Sequence, residues 1–358
     1  MKRHLIGVAA AVLGTVLISG AGLYSSASAA VAVPTTVELP LFGAPLTIGV
    51  TTGPGGALTE VTVDSANPTV ATKLKPHKVV FQTTSLADPT ADPARVTVKS
   101  GHGGQSVSAR AGSLADVSGP GKWSGDVFGD GTASTVAFTV GAATGGGPDI
   151  TGVTTTGASA VVGAVDYSSG EGHDGHDGES GMSARVSVKF TSATGDQSRS
   201  LTISVRVHTD EDGNTSAKLG ISLGRIKGVA VDAAAAVGPH TWTGQLCDGS
   251  TATVNYTVAL DGSVSAVTAT PATANIRTEG SKTEVSFSDN ERVRISVKSD
   301  SGTTRISVQE RIRCDSPNPT TNVSTSIPAD NGHGDHQGGG DKGGQNHTPP
   351  VIAPVPGA

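Results

Sequence analysis

Gly119-Pro-Gly-Lys-Trp-Ser-Gly-Asp-Val-Phe-Gly-Asp-Gly-Thr132 returns later in the chain as Gly238-Pro-His-Thr-Trp-Thr-Gly-Gln-Leu-Cys-Asp-Gly-Ser250. Each copy sets Gly-Pro just ahead of one of the two tryptophans, Trp123 and Trp242, then Ser/Thr-Gly, then an Asp-Gly-Thr/Ser turn that releases the chain into an alternating run. Internal repetition governs architecture before any single residue acquires a role, so the chain is read as modular.

Working outward, a second motif recurs in frame. Arg95-Val-Thr-Val-Lys99, Arg185-Val-Ser-Val-Lys189 and Arg294-Ile-Ser-Val-Lys298 are each followed by a turn and another alternating strand. Ile48 precedes Arg95 by the same interval that separates Phe138 from Arg185, while the interval from Tyr256 to Arg294 is shorter. Apolar and polar residues alternate with a period of two, the mark of a strand with one face in a core and the other in water. The Arg and Lys positions are read as that solvated face, with a basic ligand-binding stripe as the alternative.

The expected fold is therefore all-β: three related units of about five strands each, sandwich and barrel closures not being separable at this level. Their bounds are 31–116, 117–237 with a Gly/His/Asp loop at 170–181, and 238–316. The composition agrees. Gly (49) and Pro (19) supply many turns, and aromatics are only 3%, which calls for aliphatic cores. Residues 1–30 combine Lys2 and Arg3, an apolar run from Leu5 to Leu17 and Ala27-Ser28-Ala29, the layout of a secretory signal peptide. Residues 317–358 turn to Pro, Gly, His and Asp and are expected to be a disordered tail. The formal charge of −6 becomes more negative when Lys2 and Arg3 are removed, which argues against a nucleic-acid partner.

Four sets of residues are candidates for chemistry. Cys247 and Cys314 are the only cysteines and bracket the third unit, so in an exported chain they are expected to pair. Closing so long a loop contributes on the order of 4 kcal/mol in the chain-entropy model. Trp123 and Trp242 are expected to cap the cores of their units, a sugar-binding platform being the sharper alternative. His173, Asp174, His176 and Asp177, with His333, Asp335 and His336 in the tail, carry donors for Zn, Ni or Cu ions. A Gly-rich segment must lose backbone freedom to converge such ligands, so weak binding or none is expected, and no cofactor is required. Asp210-Glu-Asp-Gly-Asn214 begins like a calcium loop, but the place of the twelfth-position Glu is held by Ile221, so it is read as a turn.

No nucleophile elbow, zinc-protease helix or phosphate-cradling loop is present in the sequence. The leading reading is a secreted, non-enzymatic β-repeat protein, extracellular or loosely attached to the cell envelope, that binds an extracellular protein or envelope component. The alternatives are an extracellular transition-metal-binding protein and a hydrolase whose site is not visible in the sequence.

Overall fold

The alternating runs are strands in the computed structural model, which describes residues 35–101, 104–171 and 180–325. In chain order the first repeat comprises a three-stranded meander, β1 (Thr35–Leu41), β2 (Ala44–Thr52) and β3 (Leu58–Ser65), then β4 (Thr69–Lys75), β5 (Lys78–Thr83), β6 (Ala94–Gly101) and β7 (Gly104–Ala111). The second begins with the meander β8 (Gly119–Asp126), β9 (Ala133–Ala142) and β10 (Pro148–Thr156). It continues with β11 (Ser159–Val162), β12 (Asp166–Glu171), β13 (Ser180–Thr191), β14 (Gln197–Thr209) and β15 (Thr215–Leu223). Short strands β16 (Lys227–Gly228) and β17 (Val231–Asp232) and one helical turn, α1 (Ala233–Ala236), lead to the third repeat. That repeat holds the meander β18 (Gly238–Gln245), β19 (Thr251–Val258) and β20 (Val264–Thr270), followed by β21 (Asn275–Glu279), β22 (Lys282–Ser288), β23 (Glu291–Asp300) and β24 (Thr303–Ile312). The chain then adds β25 (Thr320–Thr325).

The repeated Arg-to-Lys motif occupies β6, β13 and β23 with one burial pattern. The two inner Val or Ile side chains are buried, the central Thr or Ser is half-buried, and both cations are exposed. Each unit thus pairs a three-stranded meander with a group of at least four strands, more than the five expected. The leaders containing Trp123 and Trp242 are themselves strands, β8 and β18. Gly and Pro argue locally against a strand, but only Lys122 to Ser124 of β8 pair with β1, so Pro120 lies outside that ladder and its missing N–H is not required there. Gly119 and Gly238 adopt nearly the same left-handed backbone, with φ of 131° and 128°, which explains why both leaders open on glycine.

β1 pairs antiparallel with β8, so the first two meanders fuse into one sheet, ordered β10-β9-β8-β1-β2-β3-β25. β7 pairs with β15, a strand without counterpart in the other repeats, and a second, ten-stranded sheet follows the order β11-β13-β14-β15-β7-β6-β5-β4, with β12 also paired to β13 and β16 to β14. Buried residues from both sheets, among them Ile48, Phe81, Trp123, Phe138, Phe190 and Leu219, form one continuous core. Repeats one and two are therefore a single large two-sheet sandwich. The third repeat keeps its own sheets, β18-β19-β20 and β17-β24-β23-β22-β21, and its own core around Trp242, Tyr256, Val254 and Ile295.

The expected tail also needs correction at its start. Thr320–Thr325 is a strand running parallel to β3, Thr320 opposite Glu60 and Thr325 opposite Ser65. Its side chains are mostly exposed, so hydrophobicity gives no hint of it. What it satisfies is the row of unpaired backbone groups at the β3 edge. Residues 1–34 and 326–358, which include the expected signal peptide and the rest of the tail, lie outside the described residues.

Candidate functional site

The sequence candidates divide three ways in the structure. Cys247 and Cys314 are joined, with an S–S distance of 2.13 Å, and close a loop of 67 residues around the third repeat. Both indoles are internal: Trp123 is 1% and Trp242 0% exposed, so neither offers the open face that a sugar platform needs. Trp123 packs on Phe190 with centroids 6.2 Å apart, and Trp242 lies 6.1 Å from Phe287 while its Nε1 donates to Glu310 Oε1 at 2.9 Å. Two residues after each indole stands a glycine, Gly125 or Gly244. A Cβ at Gly244 would collide with the Trp242 ring, and at Gly125 it would come within 3.0 Å of Trp123. His173, Asp174, His176, Asp177, His333, Asp335 and His336 lie outside the described residues. Among the described residues no group of His, Cys, Asp or Glu is placed to hold a metal ion.

The Asp-Gly segments are turns. Asp130, Asp248 and Asp261 each accept, through Oδ1, the N–H two residues on at 2.8 Å, and Asp210 accepts from the Asn214 N–H at 2.8 Å. Hydrogen bonds from the side chain and backbone of Ser250 hold the Asp248 carboxyl below its ordinary range, and those from Ser263 do the same for Asp261. Carboxylates engaged in this way are turn-formers.

The arrangement that no single stretch of sequence reveals is electrostatic. The ten strands of the larger sheet contain twelve Lys or Arg residues against two acids, Asp166 and Glu171, both on β12, where Asp166 stands opposite Arg185. The opposing sheet carries five carboxylates, Glu38, Glu60, Asp64, Asp126 and Asp149, against one cation, Lys122. The sandwich thus has one cationic and one acidic sheet. The chain-wide charge of −6 comes from carboxylates outside these two sheets, so it does not describe this face, and net charge alone does not decide against a nucleic-acid partner here.

Register converts the cations into rows. Arg95 stands opposite Arg110, Arg110 opposite Lys218, and Lys218 opposite Arg206, so four exposed cations cross four neighbouring strands at the inter-strand spacing of about 4.8 Å. A second row sets Lys75 opposite Lys78 and Lys78 opposite Lys99, then continues through Ser106, Ser222 and Thr202. Between the rows lie Thr97, Ser108, Gly220 and Ser204, also in register. Partial desolvation, followed by the charges of Lys99, Lys73, Arg95 and Lys75, holds the Lys78 ammonium below the usual lysine range. The neighbours that shift it are all cations.

The third repeat shows the contrast. There Arg294 stands opposite Glu284, and Arg292 Nη1 lies 3.9 Å from Glu284 Oε1, whereas on the larger sheet Arg185, opposite Asp166, is the one strand cation with an acid across from it in register among the described residues. Two further Lys/Arg ion pairs among the described residues, Lys122–Glu38 and Arg277–Glu279, also lie away from the larger sheet.

A cleft of about 1250 Å³ opens where the sandwich meets β24. Arg199 forms part of its wall, donating from Nε to the Gly224 carbonyl and from Nη1 to the Val127 carbonyl, both at 2.7 Å. Burial pushes its pKa down to about 10 against the opposing pull of Asp126, so it remains a cation at neutral pH. Asp126 accepts the N–H groups of Phe128, Gly129 and Gly131 at 3.0, 2.6 and 2.6 Å. Glu310 still meets solvent at the cleft wall, yet the surrounding protein raises its pKa, partly offset by the bond from Trp242. These groups hold loops and an indole in place at the cleft wall.

Among the described residues no helix is long and apolar enough to cross a membrane. The chain matches no protein-family model, no curated protein and no solved structure, so the functional reading rests on this geometry.

Proposed function

We propose that this chain is an exported, non-enzymatic β-repeat binding protein, and that its working surface is the cationic outer face of the sandwich. The observation that carries the reading is the in-register row Arg95, Arg110, Lys218 and Arg206, which has no carboxylate on any strand of its path. Like charges placed directly opposite one another across a sheet are destabilising, so a solvated face with no task would be expected to mix signs, as the third repeat does. The sequence features that support export are the charged start, the apolar run and the Ala-x-Ala site, together with the paired cysteines. A repeated β scaffold is suited to displaying a fixed array of side chains.

The test is to incubate the mature full-length protein with envelope and medium fractions of its own culture and to analyse what is retained. Retention that is released by raising the salt concentration, with the retained material chemically unchanged, is the expected result. Cleavage or modification of that material would replace the reading with an enzymatic one, and salt-insensitive retention would remove the cationic face from it.

A further inference from the structure

Resting on that reading, we infer that the partner is a linear polysaccharide bearing carboxylate, phosphate or sulfate groups along its length, lying flat on the outer face of the larger sheet. Three features select this chemistry. The first is spacing. Cations recur at the inter-strand distance of about 4.8 Å across four strands, close to the length of one sugar ring, so an extended anionic glycan can meet successive charges without bending.

The second feature is what lies between the cations. Thr97, Ser108 and Ser204 form the row beside the Arg row, and Ser106, Ser222 and Thr202 continue the Lys row beyond it, so short hydroxyl side chains stand in register among the charges. These both donate and accept hydrogen bonds, which matches a ligand that presents hydroxyl groups between its charges.

The third is what the face lacks. Of the aromatic residues, Phe81 and Phe190 of this sheet are fully buried, the indoles lie inside the two cores, and the exposed Tyr167 of β12 is in register with the buried Ala184 and donates its hydroxyl to Asp149 of the opposing sheet, away from the outer face. Single-stranded nucleic acid is held largely by stacking on exposed rings, and duplex DNA is read by elements that enter a groove; a flat sheet of Ser, Thr, Lys and Arg does neither. An acidic peptide partner would in turn seek a buried aromatic or aliphatic anchor at the centre of the contact, where Gly220 and serines stand instead. Anionic glycan is the class for which charge and hydroxyls suffice.

The experiment uses the full mature chain with defined probes: polygalacturonate, dextran sulfate, neutral dextran, poly-L-glutamate and single-stranded DNA. Calorimetric titration at low salt is expected to show binding to the two anionic glycans, weaker binding to polyglutamate and DNA, and none to neutral dextran. Affinity should fall as salt rises. The variant Arg110→Gln/Lys218→Gln removes two exposed charges from the centre of the row and should weaken polygalacturonate binding by about tenfold or more, as fewer counterions are displaced. Arg294→Gln/Lys298→Gln, the same change in the third repeat, should alter it by less than about twofold. Melting curves check that each variant is folded, and the salt titration of the unaltered protein tests the electrostatic contact without any variant.

Absence of binding to both anionic glycans, equal losses in the two variants, or polyglutamate or DNA binding as tightly as polygalacturonate would overturn the inference. If material from the culture is still retained in a salt-sensitive, unaltered form while both glycans fail, the glycan assignment falls and the binding reading stands.

Discussion

Gly244 illustrates how much of this protein is decided by single atoms. The Trp-Ser/Thr-Gly pattern was legible in the sequence as a repeated signature, but its reason is a collision that only packing reveals: the glycine leaves the space that the indole ring fills. The same packing ranks two substitutions. Gly244→Ala should cost about 1 to 3 kcal/mol through overpacking against Trp242, and Gly125→Ala should cost less, because its nearest ring atom is 3.0 Å away. Denaturant unfolding of the two variants checks the order, and a reversed order would show that the indoles relax in a way this packing does not allow. The cysteines were legible from their number and from the export expected of the N-terminal sequence, and Cys247 and Cys314 are joined. His240 was not. It is 3% exposed, stacks on Tyr256 at 5.4 Å and sets Nε2 2.8 Å from the Ala236 carbonyl, yet nothing in Gly-Pro-His-Thr-Trp distinguishes a core histidine from a surface one.

At the scale of elements, alternation identified the strands of the repeated motif and their buried faces. β8 and β18 escaped because Gly and Pro lower strand propensity, while pairing overrides it, with the adjacent β9 and the distant β1 for β8 and with the adjacent β19 for β18. β25 escaped because its stabilisation comes from backbone pairing on β3 and not from apolar side chains. The cationic rows were half visible. Arg95, Lys99, Arg185 and Lys189 stood out in the motif, but Arg110, Arg206 and Lys218 gain meaning only through register, which no local pattern specifies. A consequence for stability follows. Replacing Arg110 by Thr removes like-charge contacts with Arg95 and Lys218, so Arg110→Thr should raise stability by about 0.2 to 1 kcal/mol at low salt, and the gain should shrink at high salt as screening weakens the repulsion. Urea unfolding at the two salt concentrations measures it. A loss of stability, or a gain that ignores salt, would mean that the row is not self-repelling.

For the whole molecule, repetition suggested three units and left open whether they pack together; in the structure the strands of the first two join through the β1–β8 and β7–β15 pairings, and the third has a separate core. Edge pairing of this kind is invisible to a reading by units, because an isolated unit and a fused one share the same hydrophobic pattern. Fusion is also what creates the candidate surface: β6 and β7 come from the first repeat, β14 and β15 from the second, and only their union sets four cations in one row. Most of the chain's carboxylates lie outside the two sheets, so a negative net charge coexists with this face. The central claim is that this face makes the contact, and lysine acetylation in the presence and absence of polygalacturonate, read residue by residue by mass spectrometry, tests it most directly. The account predicts that Lys75, Lys78, Lys99 and Lys218 become protected in the complex while Lys122, Lys282 and Lys298 keep their reactivity; protection confined to the latter three, or spread evenly over all seven, would contradict it.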